Sequence, residues 1–187
     1  SLDASVATSA GVAFNLGNIE IPDGSKDAIV GSATTTSVDS LTATFAATDA
    51  SAEFTQFSGI ENYTYTLNNA VSITAASSDG IGDGDAAIKT AVLTGGNSLT
   101  TYTSILGEID GAKFTSLDAS GLGGRIAVQV AGSRLDNLTI AGSTAAVTDT
   151  VIVSSVNGLT ATTGKGSMTG VESVILRTTG AASTIDA

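Results

Sequence analysis

The run Phe57-Ser58-Gly59-Ile60-Glu61-Asn62 returns in the second half of the chain as Met168-Thr169-Gly170-Val171-Glu172-Ser173. Glutamate is scarce in this chain, so the shared Gly-(Ile/Val)-Glu is not what a Ser/Thr/Ala/Gly-rich sequence produces by aligning with itself. Working outward in both directions, other landmarks recur in the same order. Asp39-Ser40-Leu41-Thr42 pairs with Asp149-Thr150-Val151-Ile152, Ile29-Val30-Gly31-Ser32 with Ile140-Ala141-Gly142-Ser143, and Ser1-Leu2-Asp3-Ala4-Ser5 with Ser116-Leu117-Asp118-Ala119-Ser120. The steps from Gly59 to Gly170, Asp39 to Asp149, Ile29 to Ile140 and Ser1 to Ser116 are nearly equal. A nearly constant offset across ordered landmarks indicates an internal duplication. Residues 1–115 form a first module, 116–182 a second, and Ser183-Thr184-Ile185-Asp186-Ala187 the start of a third. The first module is longer by roughly residues 70–115. That stretch alternates like strand at Ile73-Thr74-Ala75, Ile88 to Thr94 and Leu99 to Ile105, which predicts added coils. The opening at Ser1 predicts that the chain is a segment of a longer protein.

Short alternating runs continue through the second module: Arg125 to Ala131, Asn137 to Ala141, Thr150 to Val156 and Val174 to Thr178. Gly, Ser and Asn separate them, and their starts at Arg125, Asn137, Thr150 and Val174 lie too far apart for tight hairpins. No stretch with a helical apolar stripe lies between them, which argues against βαβ units. Apolar residues make up 42% of the chain, but alanine is the commonest of them and aromatics are only 4%. Such material fills thin stacked layers better than a wide globular centre. The predicted fold is all-β, a parallel β-helix or β-roll whose coils advance by about 4.8 Å. Tandem antiparallel β-sandwiches are the competing architecture; they normally carry larger core aromatics, and there is no Trp here.

Charge narrows the partners. The 18 acidic and 7 basic residues give a net charge of −11, which disfavours nucleic acid and anionic membrane surfaces and favours metal cations. No apolar run of about 18 residues exists to span a bilayer. There is no Cys and no His, which removes the usual catalytic triads and most zinc sites, so an enzyme is not expected. A carboxylate pair acting on polysaccharide would need an identifiable pair, and none stands out.

The Gly-Ile60-Glu61-Asn62 and Gly-Val171-Glu172-Ser173-Val174 elements, the Ser-Leu-Asp-Ala-Ser starts and the run from Gly142-Ser143 to Val153 resemble the recurrent turns of bacterial surface-layer proteins of the RTX type. That resemblance implies type I secretion, an extracellular location on the bacterial cell surface, and self-assembly into a lattice of neighbouring copies. It also implies calcium between β-helical coils, supporting folding and assembly. Missing regions would provide any attachment to cell-surface polysaccharide. The tandem Gly-Gly-x-Gly-x-Asp nonapeptide of that family does not occur in clean form. An adhesin stalk or a carbohydrate-binding module of a large secreted protein is the alternative function.

Calcium takes six to eight oxygen ligands. The densest source is Asp79-Gly80-Ile81-Gly82-Asp83-Gly84-Asp85, where glycines allow a tight loop to turn Asp79, Asp83 and Asp85 inward. Asp39 and Asp149 stand at equivalent places just before a strand, and Asp3, Asp118 and Asp186 are likewise equivalent. Each could hold calcium at a coil corner or hydrogen-bond turn backbone as an Asx-turn. Glu61 and Glu172 are expected to bind turn backbone rather than metal.

Overall fold

The computed structural model describes residues 2–7, 11–19, 28–32, 37–45, 57–68, 71–72, 87–97, 99–100, 114–155 and 166–178. Strand pairings among them are all parallel, in three sheets. The first sheet holds β1 (Leu2–Asp3), β3 (Ile29–Val30) and β5 (Phe57–Ser58). The second is seven strands deep: β2 (Ala13–Ile19), β4 (Ser40–Phe45), β6 (Asn62–Leu67), β8 (Thr90–Gly95), β10 (Ser116–Leu122), β12 (Thr139–Ala141) and β14 (Ser167–Thr169). The third contains β7 (Val71–Ser72), β9 (Leu99–Thr100), β11 (Ile126–Ala131), β13 (Thr150–Ser155) and β15 (Ser173–Thr178). The chain passes from one sheet to the next and returns one rung further along, which is a β-solenoid. The sandwich alternative is therefore set aside. The Ile73–Ala75 run lies outside the described residues.

From β4 to β8 rung length varies at the corners and not in the ladder. In the long sheet Ser40 pairs with Asn62 and Asn62 with Thr90, unequal steps along the chain, yet the registers stay one to one. Alternation does the sorting. In β6, Tyr63, Tyr65 and Leu67 are buried while Asn62, Thr64 and Thr66 are half-buried on the outer face. Since side chains point alternately to either side of a strand, parallel in-register stacking turns each inward position into a column. One such column reads Phe14, Leu41, Tyr63, Ala91, Leu117, Ile140, Met168. Bulk is balanced within it, with Tyr63 beside Ala91. Tyr63 and Tyr65 stack with ring centroids 5.8 Å apart, and both are fully buried, as is Phe114. The few aromatics described are thus spent largely inside the core. Each fully buried large side chain stabilises by about 1.5–3 kcal/mol.

Outer positions are tied along the stack by hydroxyls. Thr90 donates to Asn62 at 2.7 Å, and the hydroxyls of Thr66 and Thr94 lie 3.1 Å apart. Among the described residues a 3₁₀ helix, Gly132–Asn137, interrupts the pattern at a corner; its small polar sequence reads as a turn and carries no stripe to detect.

The repeated residues of the two halves fall on strands in matching order, one face apart. β1, β3 and β5 correspond to β10, β12 and β14, and β2, β4 and β6 to β11, β13 and β15. The first set lies in the three- and seven-stranded sheets, the second in the seven- and five-stranded sheets. The second module is therefore laid onto the first one face further around the coil.

Candidate functional site

Two corners carry the repeated residues, and they share one geometry. In the first, Asp39 lies between β3 and β4 and is 1% exposed; in the second, Asp149 lies between β12 and β13 and is 0% exposed. One oxygen of Asp39 accepts the Val12 N–H from the preceding rung at 2.6 Å, and the other accepts the Ser32 N–H within its own rung. Asp149 does the same with Ile126 N–H at 2.8 Å and with Ser143 N–H. The Asp39 N–H donates onward to the Glu61 carboxylate at 2.7 Å, and the Asp149 N–H to the Glu172 carboxylate at 2.8 Å. Each corner is thus a chain of carboxylate-to-backbone bonds across three rungs: Val12, Asp39, Glu61 and Ile126, Asp149, Glu172. A buried N–H must find an acceptor, and corners have no ladder to provide one.

Glycines make the corner possible. A β-carbon on Gly31 would run into the Gly59 carbonyl oxygen and the Asp39 carboxylate; one on Gly142 would meet the Gly170 carbonyl and the Asp149 carboxylate. Gly59 and Gly170 have φ of 72° and 63°, the left-handed region that glycine enters without steric cost. The repeated Gly-Ser and Gly-(Ile/Val)-Glu elements are the two halves of this lock.

Asp3 and Asp118 behave differently. Each accepts the N–H two residues on, Ser5 at 2.8 Å and Ser120 at 2.9 Å, which is the Asx-turn arrangement. Hydrogen bonding from the Ser5 side chain, and secondarily its backbone, holds the Asp3 carboxyl below the usual carboxylate range. At Asp118 the turn coincides with a register shift between β10 and β8, so the aspartate stabilises a bulge. Glu61 and Glu172 bind backbone as expected, but in the neighbouring rung rather than in their own turn. No group of three or more His, Cys, Asp or Glu side chains arranged to hold a metal occurs among the described residues. Asp79, Asp83, Asp85 and Asp186 lie outside the described residues.

The two corners differ at one hydroxyl. Ser32 Oγ lies 2.8 Å from Ser37 Oγ and donates to the Ala7 carbonyl at 3.1 Å. In the second corner the loop from serine to aspartate is shorter, and the buried Ser143 Oγ has no protein partner. An unmet buried hydroxyl costs stability, whereas a paired one contributes about 1 kcal/mol. Ser143→Ala is expected to be neutral or stabilising by up to about 1 kcal/mol, and Ser32→Ala to destabilise by about 1 kcal/mol. Urea unfolding of the two variants checks the difference; an equal loss in both would contradict it.

Compared with known proteins, the chain matches no family model, no curated protein and no solved structure.

Proposed function

We propose that this chain is a structural segment of a calcium-dependent bacterial surface layer, of the kind exported by type I secretion, working outside the cell through self-assembly. The observation that carries the reading is the pair of buried carboxylate corners, which spend the most buried acidic groups on holding rungs together. A parallel ladder with locked corners presents the same outer positions rung after rung, suited to repeated contact with neighbouring copies. The reading assigns no catalytic role to any residue. It assigns calcium to the Asp79-Asp83-Asp85 turn and to the outer-face carboxylates Asp3 and Asp118, where the ion would offset part of the net charge of −11. Asp39 and Asp149 serve the backbone in this account.

The test is melting and electron microscopy of the purified chain with calcium and with EDTA. Calcium is expected to raise the melting temperature and to give ordered sheets that EDTA disperses. An unchanged melting curve in EDTA would remove calcium from the account, and the absence of ordered arrays in calcium would remove the surface-layer role.

A further inference from the structure

Away from the corners, the wall formed by β4, β6 and β8 repeats in two directions. Its outward positions include two columns, Thr42, Thr64, Val92 and Thr44, Thr66, Thr94. All six side chains are branched at the β-carbon, which restricts each to few rotamers. Hydroxyl bonds hold them further. Thr94 donates to the Tyr65 carbonyl at 3.4 Å, and its hydroxyl lies 3.1 Å from that of Thr66. In the next column Thr90 is tied to Asn62. Registers run through this block without a shift, while shifts border it on both sides, between Asn15 and Asn18 and between Asp118 and Gly121. A bulge bends its strand and would break the repeat. Between the two bulges, neighbouring rungs stand about 4.8 Å apart, and alternate residues along a strand about 6.7 Å apart.

Side-chain chemistry limits what such a wall can recognise. The chain carries 18 acidic residues, yet no outward position of β4, β6 or β8 is charged, and none is aromatic. Ionic ligands find no counter-charge there. Bases and sugar rings find no aromatic group to stack on. What remains is methyl groups and hydroxyls at fixed intervals, ordered before any contact. Little rotamer entropy is then lost on meeting a rigid partner. The partner that fits is uncharged, solid and periodic. On the prism face of ordinary ice, oxygen atoms recur at intervals close to these two spacings.

We propose that the outer face of β4, β6 and β8 binds ice. The threonine hydroxyls hold water molecules at the spacing of the crystal, and the methyl groups between them confine those waters. The ordered layer merges with the growing surface. Ice then advances only between bound molecules, as curved fronts, which depresses the freezing point below the melting point. Val92 keeps the branched outline of threonine and so does not interrupt the pattern. Binding at this wall needs no contact between copies, and it stands apart from the surface-layer reading.

The test is a single ice crystal held just below its melting point in a solution of the full chain. Faceted crystals and a gap between melting and freezing temperatures are expected. Thr64→Lys, at the centre of the block, is expected to abolish both while the protein stays folded by circular dichroism. Thr42→Lys, at an exposed position of the same column, gives the same reading should Thr64→Lys unfold. Val147→Lys, on an exposed corner, is expected to keep the faceting. Round crystals without a gap in the unaltered chain overturn the inference, as does faceting retained in a folded threonine variant. Retention of the chain on crystalline cellulose together with round ice crystals would overturn it in favour of a polysaccharide surface.

Discussion

Asp149→Asn is expected to cost about 3 kcal/mol of unfolding free energy, although it changes one atom. The wild-type carboxylate offers two oxygens to two backbone donors, Ile126 N–H and Ser143 N–H. Asparagine keeps one oxygen and turns an NH₂ toward the other N–H, so two donors face each other in a buried corner. A buried donor left without an acceptor costs about 1–3 kcal/mol, and a hydrogen bond to a charged group contributes about 1.5–3 kcal/mol. Against this stands the relief of no longer desolvating a carboxylate. That relief is the smaller effect when the partners stay behind unpaired, because breaking a buried polar arrangement from one side is strongly destabilising. Asp39→Asn is expected to behave alike. Asp118→Asn in EDTA is the contrast: without calcium, asparagine forms the same Asx-turn, so the expected change is within about 0.5 kcal/mol. Urea unfolding of the three variants checks this, and a loss at Asp149 no larger than at Asp118 would contradict it.

Gly142→Ala is expected to be at least as damaging, for a reason that side-chain adjustment cannot relieve. The added methyl would overlap the Gly170 carbonyl oxygen and the Asp149 carboxylate. The first obstacle is backbone, next to the Gly142 N–H to Thr169 carbonyl pairing that joins the rungs at 2.7 Å. Relief therefore requires the β12 and β14 rungs to separate at the corner, which breaks the Asp149 bonds as well. Overpacking a tight site costs about 1–3 kcal/mol when side chains can move. With a ladder bond and the carboxylate bonds also lost, the total is expected to exceed about 3 kcal/mol. Gly96→Ala, where an added β-carbon meets open space, should be nearly silent. Thermal melting of both variants decides it; equal melting temperatures would show that the rungs do not approach as described.

These two expectations explain which features were legible in sequence. Gly31, Gly59, Gly142 and Gly170 recur because the backbone of one rung touches the backbone of the next, and Asp39, Asp149, Glu61 and Glu172 recur because corners leave N–H groups to satisfy. Repetition alone marks both sets. The parallel solenoid followed from the strand spacing and the lack of helical stripes. The partners of the carboxylates did not follow. Val12 and Glu61 are both far from Asp39 along the chain, and sequence alone does not say that each of those separations equals one rung. Only registers such as Ala13 to Ser40 and Ser40 to Asn62 fix that length. For the same reason the one-face rotation between modules could not be read from the step between Ser1 and Ser116. Burial of Tyr63 and Tyr65 was also hidden, because a Tyr-Thr-Tyr alternation fits either face of a strand. Ala91 beside Tyr63 is what makes room inside.

Amide hydrogen exchange at Val12, Ser32, Ile126 and Ser143, followed by NMR, tests most directly whether buried carboxylates lock the corners. These amides are not satisfied by strand ladders, so the account predicts protection comparable to Leu41 and Val151 in the sheets. In Asp149→Asn, protection should fall at Ile126 and Ser143 while Val12 and Ser32 keep theirs. Exchange of all four in the unaltered protein at the rate of exposed turn amides would contradict the account.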